Sequence, residues 1–320
     1  MNETENKIDR RGALACMGWL GAGAYFTLSG GLASVMPVEA AFAAEPGGST
    51  GTVGLSFVQI SDTHIGFSKP ANPDPIATLR ETIAHVRALP TVPDFIVHTG
   101  DVTHLATPEQ FDQAKQLLAE LPAPVFFVPG EHDVVDGNDP RPFNAMFGKD
   151  VRGDGWYSFD HRGVHVIGLV NVVQLGDSGQ GTLGRDQLDW LKSDLAGLSS
   201  STPIVLLSHF PLWGIYPEWG WGTADATEAF ALLARFGSVT ALSGHIHQIQ
   251  RKLDGHVQFH TARSTAYPQP APGTGPGPGP LVVPPAQLPA NIGFSSLQIA
   301  SSETLPTITD SILAPAGAAQ

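Results

Sequence analysis

The chain is 320 residues long, with 42% hydrophobic and 15% charged residues, 36 Gly and 27 Pro. That length supports one large domain or two modest ones; so few charges with so many helix breakers exclude a coiled coil or helical bundle, and the apolar fraction excludes a disordered chain. A net charge of −13 repels a phosphate backbone, so polymeric nucleic acid is not an expected partner, and the single cysteine, Cys16, excludes an internal disulfide or a thiolate metal site.

Residues 1–43 have the layout of an export signal. A polar start ends in Asp9-Arg10-Arg11, an uncharged apolar stretch runs from Gly12 to Met36, and small residues surround Ala41-Phe42-Ala43, where cleavage is expected. The arginine pair resembles a twin-arginine signal, which implies passage through that export machinery, a periplasmic or extracellular location and no lasting membrane partner. Asp9 and Ala13 depart from the usual form of that signal. The alternative is an uncleaved anchor, because the run is long enough to span a bilayer, although its Gly, Ser and Thr content makes it weakly hydrophobic.

Residues 44–320 read as one domain without internal repeats. Alternation predicts a strand over 55–61, a helix over 75–89, a strand over 95–99, a helix over 108–121 capped by Thr107, and a strand over 125–128. This β-α-β-α-β order calls for parallel strands with right-handed crossovers. A hairpin follows over 156–160 and 164–170, then a helix over 185–198 and a strand over 204–207. A helix over 226–236 with Asp225 as N-cap precedes a strand over 239–242, and two strands pair around the turn dipeptide Asp254-Gly255. The Pro/Gly-rich stretch 268–280 reads as a surface loop or a mobile flap, and 294–299 as an edge strand.

Five short signatures fall just past predicted strand ends: Asp62-Thr63-His64, Gly100-Asp101, Gly130-Glu131-His132-Asp133, Ser208-His209 and Gly244-His245-Ile246-His247. Parallel strands end at one sheet edge, so these side chains are expected to converge in one crevice. The D-x-H and H-x-H spacings are expected to put both side chains on the same side of an extended segment. Carboxylate and imidazole without sulfur favour Mn, Fe, Zn or similar ions, and two such ions about 3.5–4 Å apart clamp a phosphoryl group for in-line attack.

The ordered set resembles the calcineurin-like metallophosphoesterases, over about residues 55 to 250, and within them the class III cyclic nucleotide phosphodiesterases. The resemblance implies a four-layer α/β sandwich, two mixed β-sheets face to face with flanking helices, and hydrolysis of a small phosphate ester, a phosphodiester first, by a metal-bridging hydroxide. It implies two divalent or trivalent metal ions, one held by Asp62, His64 and His247 and the other by His209 and His245, with Asp101 bridging. His132 would protonate the leaving oxygen, oriented by Asp133. Purple acid phosphatases differ in carrying Tyr where this chain has His104, and in lacking the equivalent of His64.

Glu131 stands at a ligand position where the family has Asn. It still offers oxygen but adds a negative charge, which lowers Lewis acidity and repels phosphate. The alternatives are therefore a phosphomonoesterase or pyrophosphatase-type hydrolase, or a binder of metal or phosphate that hydrolyses nothing. Elsewhere, His98 reads as a core histidine, and His104 is open between pocket wall and ordinary loop. Trp213, Tyr216, Trp219 and Trp221 read as a self-packed loop, with nucleobase stacking or a cover for the crevice as the alternative. Arg263 is open between phosphate clamp and surface residue, and His260 lies near the last hairpin. His85, His161, His165 and His256 carry no signal.

Overall fold

Strand β3 (Val53–Ile60) sends Leu55 and Phe57 to one side and Val58 and Ile60 to the other, and all four are buried. A strand covered on both faces needs two apolar layers, and the computed structural model supplies them. The structure describes residues 24–29, 32–37, 53–176, 178–300 and 305–314. Residues 1–52 and 53–320 cluster as separate units. In the first, β1 (Ala24–Ser29) pairs antiparallel with β2 (Leu32–Pro37); the rest of the expected export signal lies outside the described residues. Among the described residues no helix is long and apolar enough to cross a membrane.

The second unit holds two mixed sheets. One has the order β13-β12-β3-β4-β5, with β4 (Phe95–His98) and β5 (Val125–Phe127) parallel to β3, β12 (Gly293–Ala300) antiparallel to β3, and β13 (Thr307–Ile312) antiparallel to β12. The other has the order β10-β11-β9-β8-β7-β6, formed by β6 (Tyr157–His161), β7 (Val164–Gly168), β8 (Ile204–Leu207), β9 (Val239–Ser243), β10 (Arg251–Asp254) and β11 (Val257–Thr261). Leu55, Phe57, Phe95 and Val97 of the first sheet share one core with Val166, Val205, Leu207 and Leu242 of the second, so the sheets pack face to face. Outside the first lie helices α1 (Pro75–Arg87), α2 (Pro108–Leu118) and α3 (Arg141–Phe147); outside the second lie α4 (Arg185–Leu195) and α5 (Ala226–Leu233). A short turn of helix, α6 (Leu288–Asn291), leads into β12. This is the expected four-layer arrangement.

Local chemistry sets the helix starts. Asp74 caps α1 by accepting from Ala77 N–H at 3.0 Å, and Thr107 caps α2 by accepting from Gln110 N–H at 3.3 Å, each followed by Pro at the first helical position. Asp225 occupies the N-cap of α5 but does not cap it. Its carboxylate accepts from Leu183 N–H and Gly184 N–H at 2.9 Å, and so fixes the start of α4 instead. The strand expected at an edge, β12, is interior, because β13, for which no strand is expected from the sequence, lies outside it.

His165 on β7, a residue without any sequence signal, is buried between two carboxylates. Its Nδ1 lies 2.8 Å from Asp160 Oδ1 and its Nε2 2.8 Å from Asp194 Oδ2 of α4. Burial opposes the charged ring, but the hydrogen bonds and charges of Asp194 and Asp160 outweigh it and raise the pKa. A raised folded-state pKa stabilises fully below the ordinary histidine pKa of about 6.5 and loses that contribution as pH rises through the folded value. His165→Gln is therefore expected to lower Tm by about 3 °C or more at pH 6 and by clearly less at pH 9, in thermal melts against the wild type.

Candidate metal centre

The loops after β3 and β4 continue the strand ladder into the crevice. Asp62 N–H donates to Gly100 O at 2.9 Å, His64 N–H to Asp101 O at 2.9 Å and Ile65 N–H to Val102 O at 3.0 Å. This extension is not flat. Asp62, His64, Asp101, His245 and His247 all have positive φ, between 43° and 68°. The expected same-side placement on extended segments is thus corrected: left-handed turns aim these side chains, at a cost of about 1–3 kcal/mol per residue. Two glycines make the close approach possible. A Cβ at Gly130 would lie 2.1 Å from Asp101 Oδ1, and one at Gly244 would lie 2.1 Å from Ser61 Oγ.

The side chains gather in two groups. Asp62, His64 and His247 form one, with His64 Nε2 3.2 Å from His247 Nε2 and His247 Nε2 3.3 Å from Asp62 Oδ1. Glu131, His209 and His245 form the other, with Glu131 Oε2 2.7 Å from His209 Nε2 and Oε1 2.9 Å from His245 Nδ1. Asp101 stands between them, its Oδ2 3.5 Å from His64 Nε2 and 3.4 Å from His209 Nε2. His245 and His247 therefore serve different groups, although only one residue separates them.

Five of the candidate ligand atoms are buried without a hydrogen-bond partner. Asp62 Oδ2, Glu131 Oε2, His209 Nε2 and both ring nitrogens of His245 are buried and unpaired in that sense; the short Glu131–imidazole approaches lack hydrogen-bond alignment. His209 Nδ1–H donates to Thr99 O at 2.7 Å and His247 Nδ1–H to Tyr267 O at 2.6 Å, which turns the Nε2 lone pairs into the crevice. Buried polar atoms demand partners, and lone pairs converging on one space from carboxylate and imidazole fit divalent cations. Burial would raise the Glu131 carboxyl, but His245 and His209 beside it hold it well below the ordinary range. Burial would lower His209, but Asp101 and Glu131 raise it well above.

His132 lines the cleft. Its Nδ1–H donates to His104 O at 2.8 Å, and its ring stacks on His104 with centroids 4.7 Å apart. Burial opposes its charged form, but the Asp101 and Glu131 carboxylates raise its pKa. The expectation that Asp133 orients this ring is corrected. Asp133 is fully buried and accepts from Val102 N–H, Thr103 N–H, Thr103 Oγ–H and Gly130 N–H, at 2.8–3.0 Å, so it clamps the Asp101 loop to the Glu131 turn. Burial and the neighbouring Asp101 carboxylate push it up to about 7.

His104 resolves as pocket wall, and burial with the nearby His132 and Lys69 charges lowers its pKa to about 4. His98 is a core residue: Nε2–H faces Thr63 Oγ at 3.2 Å and Nδ1 accepts from Gly100 N–H at 3.3 Å, while burial lowers it to about 3. The aromatic loop packs on itself, Tyr216 on Trp219 at 5.2 Å and Trp219 on Trp221 at 5.1 Å, with Trp221 fully buried and Trp213 against Phe259. His260 is buried between the sheets beside Asp310, and Arg263 lies outside the cleft.

The cleft, of about 270 Å³, also includes Lys69, Tyr267, Gln269 and Pro278–Pro280, none anticipated as site residues. Tyr267 stacks on His64 at 4.8 Å, and its hydroxyl lies 3.1 Å from His64 Nε2. Its signal was its position: β11 runs parallel to β9, so the segment after Thr261 opens on the same edge as the five signatures.

The calcineurin-like phosphoesterase family matches residues 55–249. The chain belongs to that family. It is 28% identical to a 3',5'-cyclic-nucleotide phosphodiesterase of Nostoc sp., over 67% of this chain and 79% of the relative. It is also 28% identical to a probable glycerophosphodiester phosphodiesterase of Arcobacter nitrofigilis, over 66% of this chain and 78% of the relative. A dimetal phosphatase from Danio rerio shares the fold, with a TM-score of 0.60 at 16% identity, over 81% of this chain and 96% of that one. The family match spans all five signatures, from Asp62 to His247.

Asp133→Ala would leave three backbone N–H groups of the crevice buried and unpaired. It is expected to destabilise by about 3 kcal/mol or more, seen as a lower urea midpoint at pH 7.5.

Proposed function

We propose that this phosphoesterase hydrolyses a small phosphodiester using two divalent cations, one held by Asp62, His64 and His247, the other by Glu131, His209 and His245, with Asp101 shared. The observation that carries the reading is the pair of inward-facing donor groups divided by Asp101 Oδ2. Cations so held supply Lewis acidity to the phosphoryl group and lower the pKa of a water. The chain's own residues do the rest. His104 O fixes the His132 ring by accepting the Nδ1 proton, so Nε2 is the nitrogen left to serve the leaving oxygen, and the Asp101 and Glu131 carboxylates favour its charged form against burial. Lys69 lines the same cleft and offers a further positive charge to the phosphate.

Charge supports a diester over a monoester. The carboxylates of Asp62, Asp101 and Glu131 offset three of the four charges of two divalent cations, which weakens the pull on a monoester dianion more than on a diester monoanion. The metal-loaded protein is expected to cleave bis(p-nitrophenyl) phosphate with kcat/KM at least about tenfold above that for p-nitrophenyl phosphate. Glu131→Asn is expected to weaken cation binding by about tenfold and to move the ratio toward the monoester. A wild type with two metals bound and no turnover of either ester overturns the reading in favour of a binder; an equal or higher rate on the monoester overturns the diester assignment alone.

We propose also that residues 1–43 direct export by the twin-arginine route, on the strength of Arg10-Arg11, the uncharged run 12–36 and Ala41-Phe42-Ala43. The exported protein is expected to begin at Ala44 in N-terminal sequencing, and Arg10→Lys with Arg11→Lys is expected to keep it in the cytoplasm.

A further inference from the structure

The Pro/Gly-rich segment is pinned rather than loose. Leu281 N–H donates to Pro268 O at 2.8 Å and closes its neck. Gln269 Nε2–H donates to His245 O at 2.8 Å, while Gln269 Oε1 accepts from Gly279 N–H at 3.1 Å. Gln248 Nε2 donates to Pro270 O at 2.6 Å and to Gln269 O at 3.2 Å. One glutamine therefore joins the far end of the strap to the loop that carries His245 and His247.

The chemistry of the wall that the strap presents is restricted. Pro278 and Pro280 have no N–H, and the Gly279 N–H is already taken by Gln269. Pro278–Pro280 therefore offer a phosphate no donor, and Gln269, the other strap residue lining the cleft, already gives one Nε2–H to His245 O. A cationic and a hydroxyl donor line the cleft at Lys69 and Tyr267, the latter with its hydroxyl 3.1 Å from His64 Nε2. A phosphate drawn toward those donors and toward the cation ligands leaves its organic substituent on the proline faces.

We infer that the strap 268–281 is a fixed apolar wall that receives the non-leaving organic group of the diester, held in place by Gln269 as a positioning residue. The inference rests on the diesterase reading above and narrows its substrate class to compact diesters with an apolar or ring substituent opposite the scissile bond. A cleft of about 270 Å³ closed on that side admits such a molecule and not a long polymer.

The test compares bis(p-nitrophenyl) phosphate with methyl p-nitrophenyl phosphate, which share a leaving group and differ only in the other ester. Intrinsic reactivities cancel when the kcat/KM ratio of the two is compared between proteins. Two variants are used, Gln269→Ala to release the strap and Pro278→Gly with Pro280→Gly to remove its faces, and bound metal is measured in each. The ratio is expected to fall about fivefold or more in both, through KM for the diaryl ester, with the metal content retained. An unchanged ratio overturns the inference while leaving the diesterase reading intact. Loss of metal in both variants shows that the strap holds the His245 loop rather than the ester, and overturns it as well. A metal-loaded wild type inactive on both esters fails at the earlier reading and takes this one with it.

Discussion

Three carboxylates from separate parts of the chain meet in one buried crevice, and the rest of the site follows from that crowding. Asp62 and Asp101 are almost fully buried, and Glu131 reaches in beside them. Burying ionised carboxylates without countercharge costs more than a domain's net stability can absorb. The imidazoles are the local answer. Burial opposes a charge on His209, but Asp101 and Glu131 drive its pKa well above the usual histidine range. His64, whose surroundings are mostly other imidazoles, is driven the opposite way by burial and by His247. Cation binding and proton loss are coupled at such a centre.

Crowding alone does not aim lone pairs; the backbone does. Five non-glycine residues in the left-handed region represent strain that a folded chain retains only where neighbours over-determine it. Here the neighbours are identifiable. The β3–β4 ladder runs on through Asp62, His64 and Ile65, Asp133 locks Val102, Thr103 and Gly130 together, and Ser264 Oγ donates to Asp62 O at 2.7 Å. Asp133 matters to the site without touching the reacting groups. Its four donors explain why an acid follows His132 more simply than a direct bond to the imidazole does.

Much of this was legible in the residue order. Strands followed by Asp, His or Gly signatures are a one-dimensional record of a sheet edge, and β3, β4, β5, β8 and β9 all end where the pattern places them. What escaped had specific causes. Tyr267 and Gln269 follow β11, a strand read only as half of a hairpin, and its parallel partnership with β9 is a long-range fact that no local pattern carries. His165 looked ordinary because its partners lie five residues away across the β6–β7 turn and on another element, α4. The left-handed conformations were invisible because Asp and His give no sign of positive φ as Gly does. Asp225 does occupy the expected N-cap position, but the nearby Leu183 and Gly184 N–H groups decide where its oxygens point.

The distribution of the donor groups over the two sheets has a mechanical consequence. Asp62, His64, Asp101 and Glu131 follow strands of the five-stranded sheet, whereas His209, His245 and His247 follow strands of the six-stranded sheet. Each group draws on both: His247 completes the first, and Glu131 joins His209 and His245 in the second. Below the crevice the sheets are held by non-directional apolar packing, which tolerates small sliding of one sheet on the other. At the crevice they meet through directional lone pairs, which do not. A cation in either group therefore fixes the relative position of the sheets as well as its own ligands, and binding free energy becomes packing free energy at that end of the sandwich. The strap belongs to the same construction, since Gln269 ties it to His245 O and so to that sheet edge. The wall facing the substrate and the atoms facing the phosphate are then parts of one rigid frame.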